Sequence, residues 1–474
     1  MLEQQELAGW LEERQERFIQ MADTIWANPE VALTESKACA LQADALARDG
    51  FAITREVGGL PTAFMAEWGS GAPVIGYLGE YDALPGLSQK SQSGQDPVVA
   101  EGPGHGCGHN LLGTAALAAA MALKAWLQET GQSGTVRYYG CPAEETITGK
   151  VYMARAGAFD DLDAALTWHP GGVNTVQCGS SLAVDNLKFR FHGQTAHAAA
   201  APEMGRSALD AVELMNIGAN FLREHVIETA RIHYVITNGG GAPNVVPDEA
   251  EVWYFVRAPR RDQVEAITAR VRDIARGATL MTGTTVEEDY QCGAYNVLPN
   301  LTLADAALAV MGEMGPMEFT DTERAYARAI ADAYPAAVRA GVIESHGLPT
   351  RLLDESLTGE LFAPLDKGKV MPGSTDVADV SWITPTLQVW TACWVVGVPG
   401  HSWGITATGA MSIGHKGMLY AAKAMALTGA RLVSDPALLE RARAEYAEAT
   451  NGKAYRTPLP EGLQPPLPKA SAHT

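Results

Sequence analysis

Three short segments carry the side chains best suited to chemistry. The first is a glycine-flanked run around Cys107 and His109, the second ends in the adjacent acids Glu144 and Glu145, and the third contains His169. A thiol, imidazoles and carboxylates are ligands that a borderline-soft divalent cation accepts, and a carboxylate left over can transfer protons. The sequence therefore predicts a hydrolytic metal site.

Each segment also has a simpler interpretation. Cys107 can be a small buried thiol, His109 an ordinary hydrogen-bonded histidine, and an acid pair is most often part of a solvated loop. The flanking glycines let the backbone bend until thiol and imidazole point at one ion. Adjacent acids at the end of a strand diverge, so one of Glu144 and Glu145 can bind metal while the other acts as general base.

The segments that position these residues alternate between predicted strands and helices. An apolar run at 73–78 leads towards Asp82, and another at 136–140 leads into the acid pair. Both are predicted to be buried strands, and open α/β sheets place their ligand sites at the carboxyl ends of strands. Helices are predicted over residues 4–27, 36–49 and 111–127.

The middle of the chain has a different order of elements. It predicts a small α+β domain, residues 183–296, inserted into a larger α/β domain formed by residues 1–182 and 297–474. The elements predicted for the inserted domain are strands at 182–191, 233–237 and 251–257 and helices at 207–225 and 262–275. The elements predicted beyond it are a strand at 390–396, a helix at 412–428 and a proline-rich, extended or loose tail from 457.

Composition limits the partners that we expect. The 474 residues carry a net charge of −20, from 35 Lys and Arg against 55 Asp and Glu, so phosphate backbones and anionic lipids are repelled. We expect no nucleic-acid or membrane partner. The amino terminus lacks the features of a signal peptide, and no apolar run approaches the ~18 residues of a membrane span. Six singly spaced cysteines fit a reducing compartment, so the predicted location is the cytoplasm.

Five motifs, taken in order, resemble the aminoacylase and carboxypeptidase-type family of metal-dependent peptidases. They are His105-Gly106-Cys107-Gly108-His109, Pro142-Ala143-Glu144-Glu145, His169-Pro170, Gly193-Gln194-Thr195-Ala196-His197 and Asn244-Val245-Val246-Pro247-Asp248. The resemblance covers most of the chain. It is strongest to the amidohydrolase branch, which includes hippurate, auxin-conjugate and aminobenzoyl-glutamate hydrolases.

The resemblance implies a role for each matching residue. Glu144 would be the general base and proton shuttle, and Asp82 would orient a ligand imidazole without binding metal itself. His197 and Asn244 would reach a substrate in the neighbouring subunit, with His197 stabilising the oxyanion. Arg257 is a candidate for binding a substrate carboxylate, although a surface ion pair is the more common reason for such an arginine. The implied metal ligands are Cys107, His109, Glu145, His169 and His401.

The implied ligand set favours two divalent ions per subunit. Five donors, including a carboxylate able to bridge, are more than one tetrahedral zinc requires. Thiolate favours zinc, whereas carboxylate and imidazole also suit manganese. Two positions depart from the family pattern, because Asn110 stands where many relatives have Asp and Glu80 where the peptidase branches have His.

The sequence thus predicts an α/β metallopeptidase catalytic domain with an inserted α+β dimerisation, or lid, domain. Its predicted reaction is metal-dependent hydrolysis of the amide bond of an N-acyl or N-aroyl amino acid, such as aminobenzoyl-glutamate. The resemblance implies a homodimer, and the alternative is a heteromer with a different second subunit. A dipeptidase or deacylase using the same site, and a non-catalytic metal-binding subunit, are the alternative functions.

Overall fold

The structure, a computed structural model, describes residues 2–468 and contains two β-sheets. The strands are β1 (Ala52–Arg55), β2 (Phe64–Ser70), β3 (Val74–Glu80), β4 (Gly134–Cys141), β5 (Ala164–Gly171), β6 (Thr175–Val176), β7 (Ala183–His192), β8 (Arg231–Asn238), β9 (Glu249–Ala258), β10 (Thr285–Ala294) and β11 (Thr386–Ala392). The α-helices are α1 (Leu2–Glu13), α2 (Gln15–Ala27), α3 (Ser36–Arg48), α4 (His109–Thr130), α5 (Gly149–Arg155), α6 (Ala208–Leu222), α7 (Arg261–Thr282), α8 (Leu301–Met314), α9 (Asp321–Asp332), α10 (Ala336–Ser345), α11 (Leu352–Glu355), α12 (Val377–Ser381), α13 (Trp403–Thr408), α14 (Ser412–Ser434) and α15 (Pro436–Thr450).

The larger sheet has seven strands in the order β1-β2-β4-β3-β5-β11-β6. Its central strands β4, β3, β5 and β11 run parallel, whereas the outer pairs are antiparallel. Parallel strands are covered on both faces, which explains why β3 and β5 are almost continuously apolar and buried. The four central strands end at the same edge of the sheet, so the polar segments that follow β3 and β4 come together there.

Helix α4 lies at the centre of the larger layer and packs against β3 and α14. Among the described residues, it is the helix whose length and apolar composition would suit a membrane span, yet 94% of its apolar window is buried inside the protein. The sequence analysis was therefore wrong in finding no apolar run of that length. Burial against the sheet and α14 accounts for the composition of α4, because a helix that is apolar all round can lie in the core of a large protein.

The smaller sheet is antiparallel, in the order β10-β7-β9-β8, and α6 and α7 pack against it and against each other. Buried and less buried residues alternate along β9, as expected for a strand with one face on a helical layer. All these elements lie between the first residue of β7 and the last of β10. We retain residues 183–296 as the proposed extent of an inserted domain.

Two predicted elements differ from the structure. The single helix predicted over 4–27 is two helices, because α1 ends at Glu13 and α2 begins at Gln15. The strand predicted over 390–396 ends at Ala392, where the chain turns back and the backbone N–H groups of Cys393 and Trp394 donate to the carbonyl of Gly171. This early end leads the following loop across the carboxyl edge of the sheet.

The described part of the predicted tail, residues 457–468, contains a turn and no helix or strand, and it is held against the protein, whereas residues 469–474 lie outside the described residues. Leu459 is buried, the hydroxyl of Tyr455 donates to Asp379 at 2.6 Å, and the guanidinium of Arg155 donates to the carbonyl of Leu463 at 2.6 Å. Aromatic and apolar side chains therefore anchor this segment on the protein. The proline content alone gave no indication of these anchors.

Candidate metal centre

The carboxyl ends of three neighbouring strands supply most of the predicted site. Glu80 is the last residue of β3 and Asp82 follows it, Glu144 and Glu145 follow β4, and His169 lies near the end of β5. Strands β4, β3 and β5 are adjacent and parallel. Their ends meet at one edge, which is the usual ligand position in an open α/β sheet.

The loop before α4 brings a thiol to this edge. Gly108 has a φ of 77°, and a Cβ at that position would lie 3.0 Å from Cγ of Pro170. Only glycine fits this left-handed, close-packed position without strain. The resulting turn places Sγ of Cys107 3.3 Å from Nε2 of His169, while His109 begins α4.

The imidazole of His109 is held by Asp82. Nδ1 of His109 donates to Oδ1 of Asp82 at 2.8 Å, and the other oxygen of Asp82 accepts the backbone N–H of Glu145 at 2.9 Å. Burial alone would raise the pKa of Asp82, but the adjacent His109 and the hydrogen bonds lower it. The ionised carboxylate fixes the ring so that Nε2 faces the site, which is the orientation that a metal ligand needs.

The imidazole of His169 is oriented in a similar way. Its Nδ1 donates to the carbonyl of Pro170 at 2.7 Å, which leaves Nε2 directed at Cys107. Burial lowers the pKa of His169 to about 4, so the ring is neutral at physiological pH. Neutral imidazole is the form that binds metal ions. Trp390 packs against the ring at a centroid distance of 4.7 Å.

His401 reaches the same site from the loop that follows β11. Its backbone has a φ of 52°, an uncommon left-handed conformation for a residue with a side chain. Nε2 of His401 lies 3.4 Å from Oε2 of Glu145. The sequence analysis predicted this convergence from a resemblance, since nothing in the intervening 230 or so residues fixes it.

Three groups of potential metal donors lie at the site, with the donor atoms of each group within 4.8 Å of one another. Cys107, His109 and His169 form the first group, and Cys107, Glu145 and His401 form the second. These two groups share the thiol of Cys107, whereas the sequence analysis expected a carboxylate to bridge, and their five members are the ligands predicted from the resemblance. The third group consists of Glu80, His109 and Glu144.

The donor atoms fit a divalent cation. Nε2 of His109 and Oε1 of Glu145 are buried and have no hydrogen-bond partner within the described residues 2–468. Burying such atoms unpaired is costly, and cations bound at the two groups that share Cys107 would satisfy both. Burial raises the pKa of the Cys107 thiol, and a bound cation would reverse this balance by stabilising the thiolate.

Glu144 lies beside the two groups that share Cys107 and belongs to the third, with Glu80 and His109. Its Oε2 is 3.9 Å from Nε2 of His109. Burial, reinforced by the carboxylates of Glu80 and Asp376, raises the pKa of Glu144 well above its usual value. A carboxylate with a raised pKa is a better proton acceptor near neutral pH, which suits a general base.

The sequence analysis missed a buried charge network behind Glu144. Nζ of Lys150 lies 2.6 Å from Oε1 of Glu80 and 2.6 Å from Oδ1 of Asp376, and all three side chains are buried. Burial would lower the pKa of Lys150, but the two carboxylates outweigh it and raise the pKa. Glu80 drew attention only as a departure from the family pattern. Lys150 in sequence looks like any helix-surface lysine, and Asp376 carries no local signal.

Arg257 projects from β9 towards the site. It is half-buried and lines the same cavity as Glu144, its Nη1 donates to Oγ of Ser374 at 3.3 Å, and its buried Nε has no partner. Within the described part of the chain, no carboxylate forms an ion pair with it, and burial lowers its pKa. The alternative interpretation as a surface ion pair is therefore wrong. A guanidinium left free in a cavity can bind a carboxylate.

His197 and Asn244 lie elsewhere on the inserted domain. Both are exposed, and neither is among the residues that line the cavity. They are neighbours, because His197 forms a β-bridge with Val245 and the carbonyl of Asn244 accepts the N–H of Ala198. Nδ1 of His197 accepts two backbone N–H groups at 3.1 and 3.2 Å, so a neutral ring carries its proton on Nε2. The structure does not bring these two residues to the metal ligands of their own chain.

The cavity at the site has a volume of about 650 Å³. Its lining includes four of the five metal-donor residues and Glu144, and much of the remainder is apolar, including Trp390, Trp394 and Val396. A cavity of this size with a few convergent polar groups suits a small organic substrate with an apolar part.

Comparison with known proteins identifies the class of this protein. Residues 184–280 match the M20 peptidase dimerisation domain. The chain is 45% identical to the B subunit of p-aminobenzoyl-glutamate hydrolase of Escherichia coli strain K12 over 466 residues, which is 96% of this chain and 97% of that protein. It is 31% identical to the Xaa-Arg dipeptidase of Mus musculus, over 92% of this chain and 90% of that protein.

Solved structures share the fold. A dinuclear metal-binding peptidase of the M20 family from Bacillus subtilis matches with a TM-score of 0.57 and 20% identity, over 89% of this chain and 99% of that one. An aminobenzoyl-glutamate utilization protein from Klebsiella pneumoniae matches with a TM-score of 0.57 and 17% identity, over 87% of this chain and 98% of that one.

The chain belongs to the M20 peptidase family. It is a hydrolase that acts on amide bonds, with an α/β catalytic fold and a dimerisation domain. The predicted family, fold class and enzyme class are confirmed.

Proposed function

We propose that this chain hydrolyses the amide bond of an N-acyl or N-aroyl amino acid, with p-aminobenzoyl-glutamate as the leading substrate. The observation that carries the proposal is the position of Glu144 beside two donor groups that share Cys107, at the wall of one cavity. The name of the 45% identical relative, the B subunit of p-aminobenzoyl-glutamate hydrolase, supports the choice of substrate.

The ligand roles are part of the same proposal. The donors that would hold two divalent ions, zinc or manganese, are Cys107, His109, Glu145, His169 and His401. When bound, such ions lower the pKa of a water molecule and polarise the amide carbonyl. The mixture of thiolate, imidazole and carboxylate suits either metal.

Glu144 carries the proton in the proposed reaction. Its carboxylate takes a proton from the attacking water and later gives it to the nitrogen of the leaving amine. The raised pKa of Glu144 suits both transfers, since a weakly acidic group holds the proton between the two steps. Asp82 keeps the imidazole of His109 in place throughout, through the 2.8 Å hydrogen bond to Nδ1.

Substrate recognition would use the two kinds of cavity wall. Arg257, which has no carboxylate partner in its own chain, would bind the carboxylate of the amino-acid portion. The acyl or aroyl portion would lie against the apolar wall around Trp390 and Trp394. In this arrangement the amide would lie between the guanidinium and the aromatic side chains.

The inserted domain would form a homodimer, and its partner would supply His197 and Asn244. Strand β8 is one of the two edge strands of its sheet, and Val235 and Ile236 on it are 54% and 41% exposed. An exposed apolar edge strand is a surface that another chain can pair with. Nε2 of His197 could then donate to the oxyanion of the partner's substrate.

Two further parts of the proposal concern assembly and location. A heteromeric partner is the alternative to a homodimer, because the relative is named as the B subunit of its hydrolase and a protein named as the A subunit is 31% identical over 46% of this chain. All six cysteines are free thiols, five of them buried, which supports a cytoplasmic location. Mass photometry of the purified chain, alone and with a candidate second subunit, separates the two assemblies.

The test is hydrolysis by purified chain that has been stripped of metal and reloaded with zinc or manganese. The panel contains p-aminobenzoyl-glutamate, hippurate, an Xaa-Arg dipeptide and an N-acetyl amino acid. The proposal expects metal-dependent release of glutamate from p-aminobenzoyl-glutamate. Preference for the dipeptide or the acetylated substrate would favour the dipeptidase or deacylase alternative, and metal binding without turnover on any amide would favour a non-catalytic subunit.

A further inference from the structure

A second buried carboxylate contacts the loop that carries Glu144. Glu35, at the start of α3, has no exposed surface. Its Oε1 accepts the backbone N–H of Ala143 at 2.8 Å and that of Leu33 at 2.9 Å, and its Oε2 accepts the hydroxyl of Thr62 at 2.9 Å. Three donors from three separate segments thus converge on this one side chain.

The side chain of Glu35 does not cap α3, because another acid does so. The carboxylate of Glu30 accepts the backbone N–H groups of Lys37 and Ala38 at 2.9 and 3.1 Å. The N–H groups of the first helical turn have no acceptor within the helix, and an acid at this position accepts hydrogen bonds from them. The side chain of Glu35 therefore points into the protein.

The backbone that Glu35 contacts is in an unfavourable conformation. Ala143 has a φ of 56°, in the left-handed region, and the conformation costs about 1 kcal/mol for a residue with a Cβ. Such conformations persist only where the surroundings hold them, and they cluster at functional sites. The turn at Ala143 determines where the next residue, Glu144, points.

The other flank of Glu144 is held in the same way. The backbone N–H of Glu145 donates to Oδ2 of Asp82 at 2.9 Å. The main chain on each side of Glu144 is thus fixed by a buried carboxylate, Glu35 before it and Asp82 after it. Glu35 does not line the cavity, so it has no contact with substrate.

We propose that Glu35 is a positioning residue for Glu144. It acts as the hydrogen-bond acceptor that holds Ala143 in its left-handed turn, and it neither transfers a proton nor binds substrate or metal. The inference rests on the proposed role of Glu144 as general base. It adds a residue from the amino-terminal helical layer to the machinery of the reaction.

The test compares three substitutions at Glu35 with one control. Glu35→Gln keeps an oxygen that can accept from Ala143, so it should retain kcat within about threefold of wild type. Glu35→Asp keeps the charge but withdraws the acceptor, and Glu35→Ala removes it. Both should lower kcat by roughly 10- to 100-fold, because small misplacements of a catalytic group are that costly. KM and metal content should stay at wild-type values.

The control is Thr62→Val, which removes one donor to Glu35 but leaves its bond to Ala143. It should keep wild-type kcat even if it lowers the melting temperature, because only the Ala143 contact is proposed to affect Glu144. Glu35→Asp and Glu35→Gln keep the test decisive if Glu35→Ala does not fold. The distinguishing result is loss of kcat in Glu35→Asp with retention in Glu35→Gln.

Two results would overturn the inference. Wild-type kcat in Glu35→Asp would show that the acceptor position is irrelevant, and a loss in Glu35→Gln as large as that in Glu35→Asp would show that a neutral acceptor at the same position is not sufficient. Glu144→Gln, assayed in parallel, separates this failure from that of the proposed function. If Glu144→Gln is active, the assignment of Glu144 as general base is wrong. If Glu144→Gln is inactive while Glu35→Asp is fully active, only the proposed role of Glu35 is wrong.

Discussion

The sulfur of Cys107 lies 3.3 Å from Nε2 of His169, and the same sulfur belongs to the donor group of Glu145 and His401. One side chain is therefore common to both proposed metal positions. A thiolate can bridge two cations, whereas each imidazole ring has one nitrogen left for metal because the other can be used by a protein hydrogen bond. Loss of Cys107 should consequently differ from loss of any other ligand.

We expect Cys107→Ala to lose most of both ions, and His401→Ala to retain about one ion per chain because the other donor group stays intact. Elemental analysis after dialysis against limiting zinc or manganese measures this difference. Cys292→Ala is a matched control, since Cys292 is also buried but lies in the inserted sheet. Full metal content in Cys107→Ala would contradict the shared-ligand assignment.

Arg257→Ala should weaken binding of substrates that carry a carboxylate. Losing a hydrogen bond to a charged group costs about 1.5–3 kcal/mol, so KM should rise roughly 10- to 100-fold with a smaller effect on kcat. An analogue whose α-carboxylate is replaced by an amide should show no further loss in the variant. The control is Arg260→Ala, which removes an exposed arginine paired with Asp262. Equal loss on both substrates would mean that Arg257 does not bind the carboxylate.

His197 offers a test of the proposed dimer. Glu144→Gln and His197→Ala chains should each be inactive alone, yet a mixed dimer contains one site with both groups. Random mixing should restore about one quarter of wild-type activity, because about half of the dimers are mixed and each of those has one complete site of two. Mass spectrometry of tagged chains verifies the mixing. Mixed dimers without activity would place His197 in the site of its own chain or outside catalysis.

The burial of Asp379 predicts that stability changes with pH for a reason unrelated to the metal site. Asp379 is fully buried and accepts hydrogen bonds from Tyr455 and from the backbone of Tyr295, and burial raises its pKa to about 7. In the unfolded chain the pKa is about 3.9. Between about pH 4 and 7 the folded protein therefore holds a proton that the unfolded chain releases, so this group's contribution to the free energy of unfolding falls as the pH rises.

Asp379→Asn removes this titration. The free energy of unfolding of the variant minus that of wild type should increase by roughly 2 kcal/mol between about pH 5 and pH 8. Denaturant titrations of both proteins at the two pH values measure the difference, and other pH effects cancel because they are common to both. Asp160→Asn, at an exposed position, is the control and should show no such trend. A relative stability that is the same at both pH values would contradict the buried, protonated carboxyl.

The parts of the site that the sequence could predict are those that follow apolar strands or lie in short motifs. Asp82 and Glu145 follow predicted strands, and parallel strands place such residues at one edge. His169 lies in β5, a strand that was not predicted, and its segment was singled out only for its side chain. The role of His401 could be predicted only from a resemblance, because no local sequence pattern connects it with the other ligands. The change in the order of strands and helices near residue 183 led to the prediction of an inserted domain, and its bounds stay a prediction.

The remaining features depend on tertiary packing, which no local sequence pattern indicates. Glu35 contacts Ala143 across 108 positions of sequence, and Lys150 contacts Asp376 across 226. A glutamate at a helix start and a lysine on a short helix are ordinary surface residues in any sequence, and only the fold shows that both are buried. The anchoring of the tail could not be predicted for the same reason, because no local pattern shows that Tyr455 and Leu459 contact the rest of the protein.

The most direct test of the account is the comparison of Glu144→Gln with wild type, both loaded with the same metal, on p-aminobenzoyl-glutamate. The amide keeps the shape of the side chain but cannot accept the proton of the attacking water. We expect kcat to fall by about 10²- to 10⁴-fold, the usual contribution of general acid–base catalysis, while elemental analysis finds unchanged metal content. Turnover near that of wild type, at full metal content, would contradict the assignment of Glu144 as the general base.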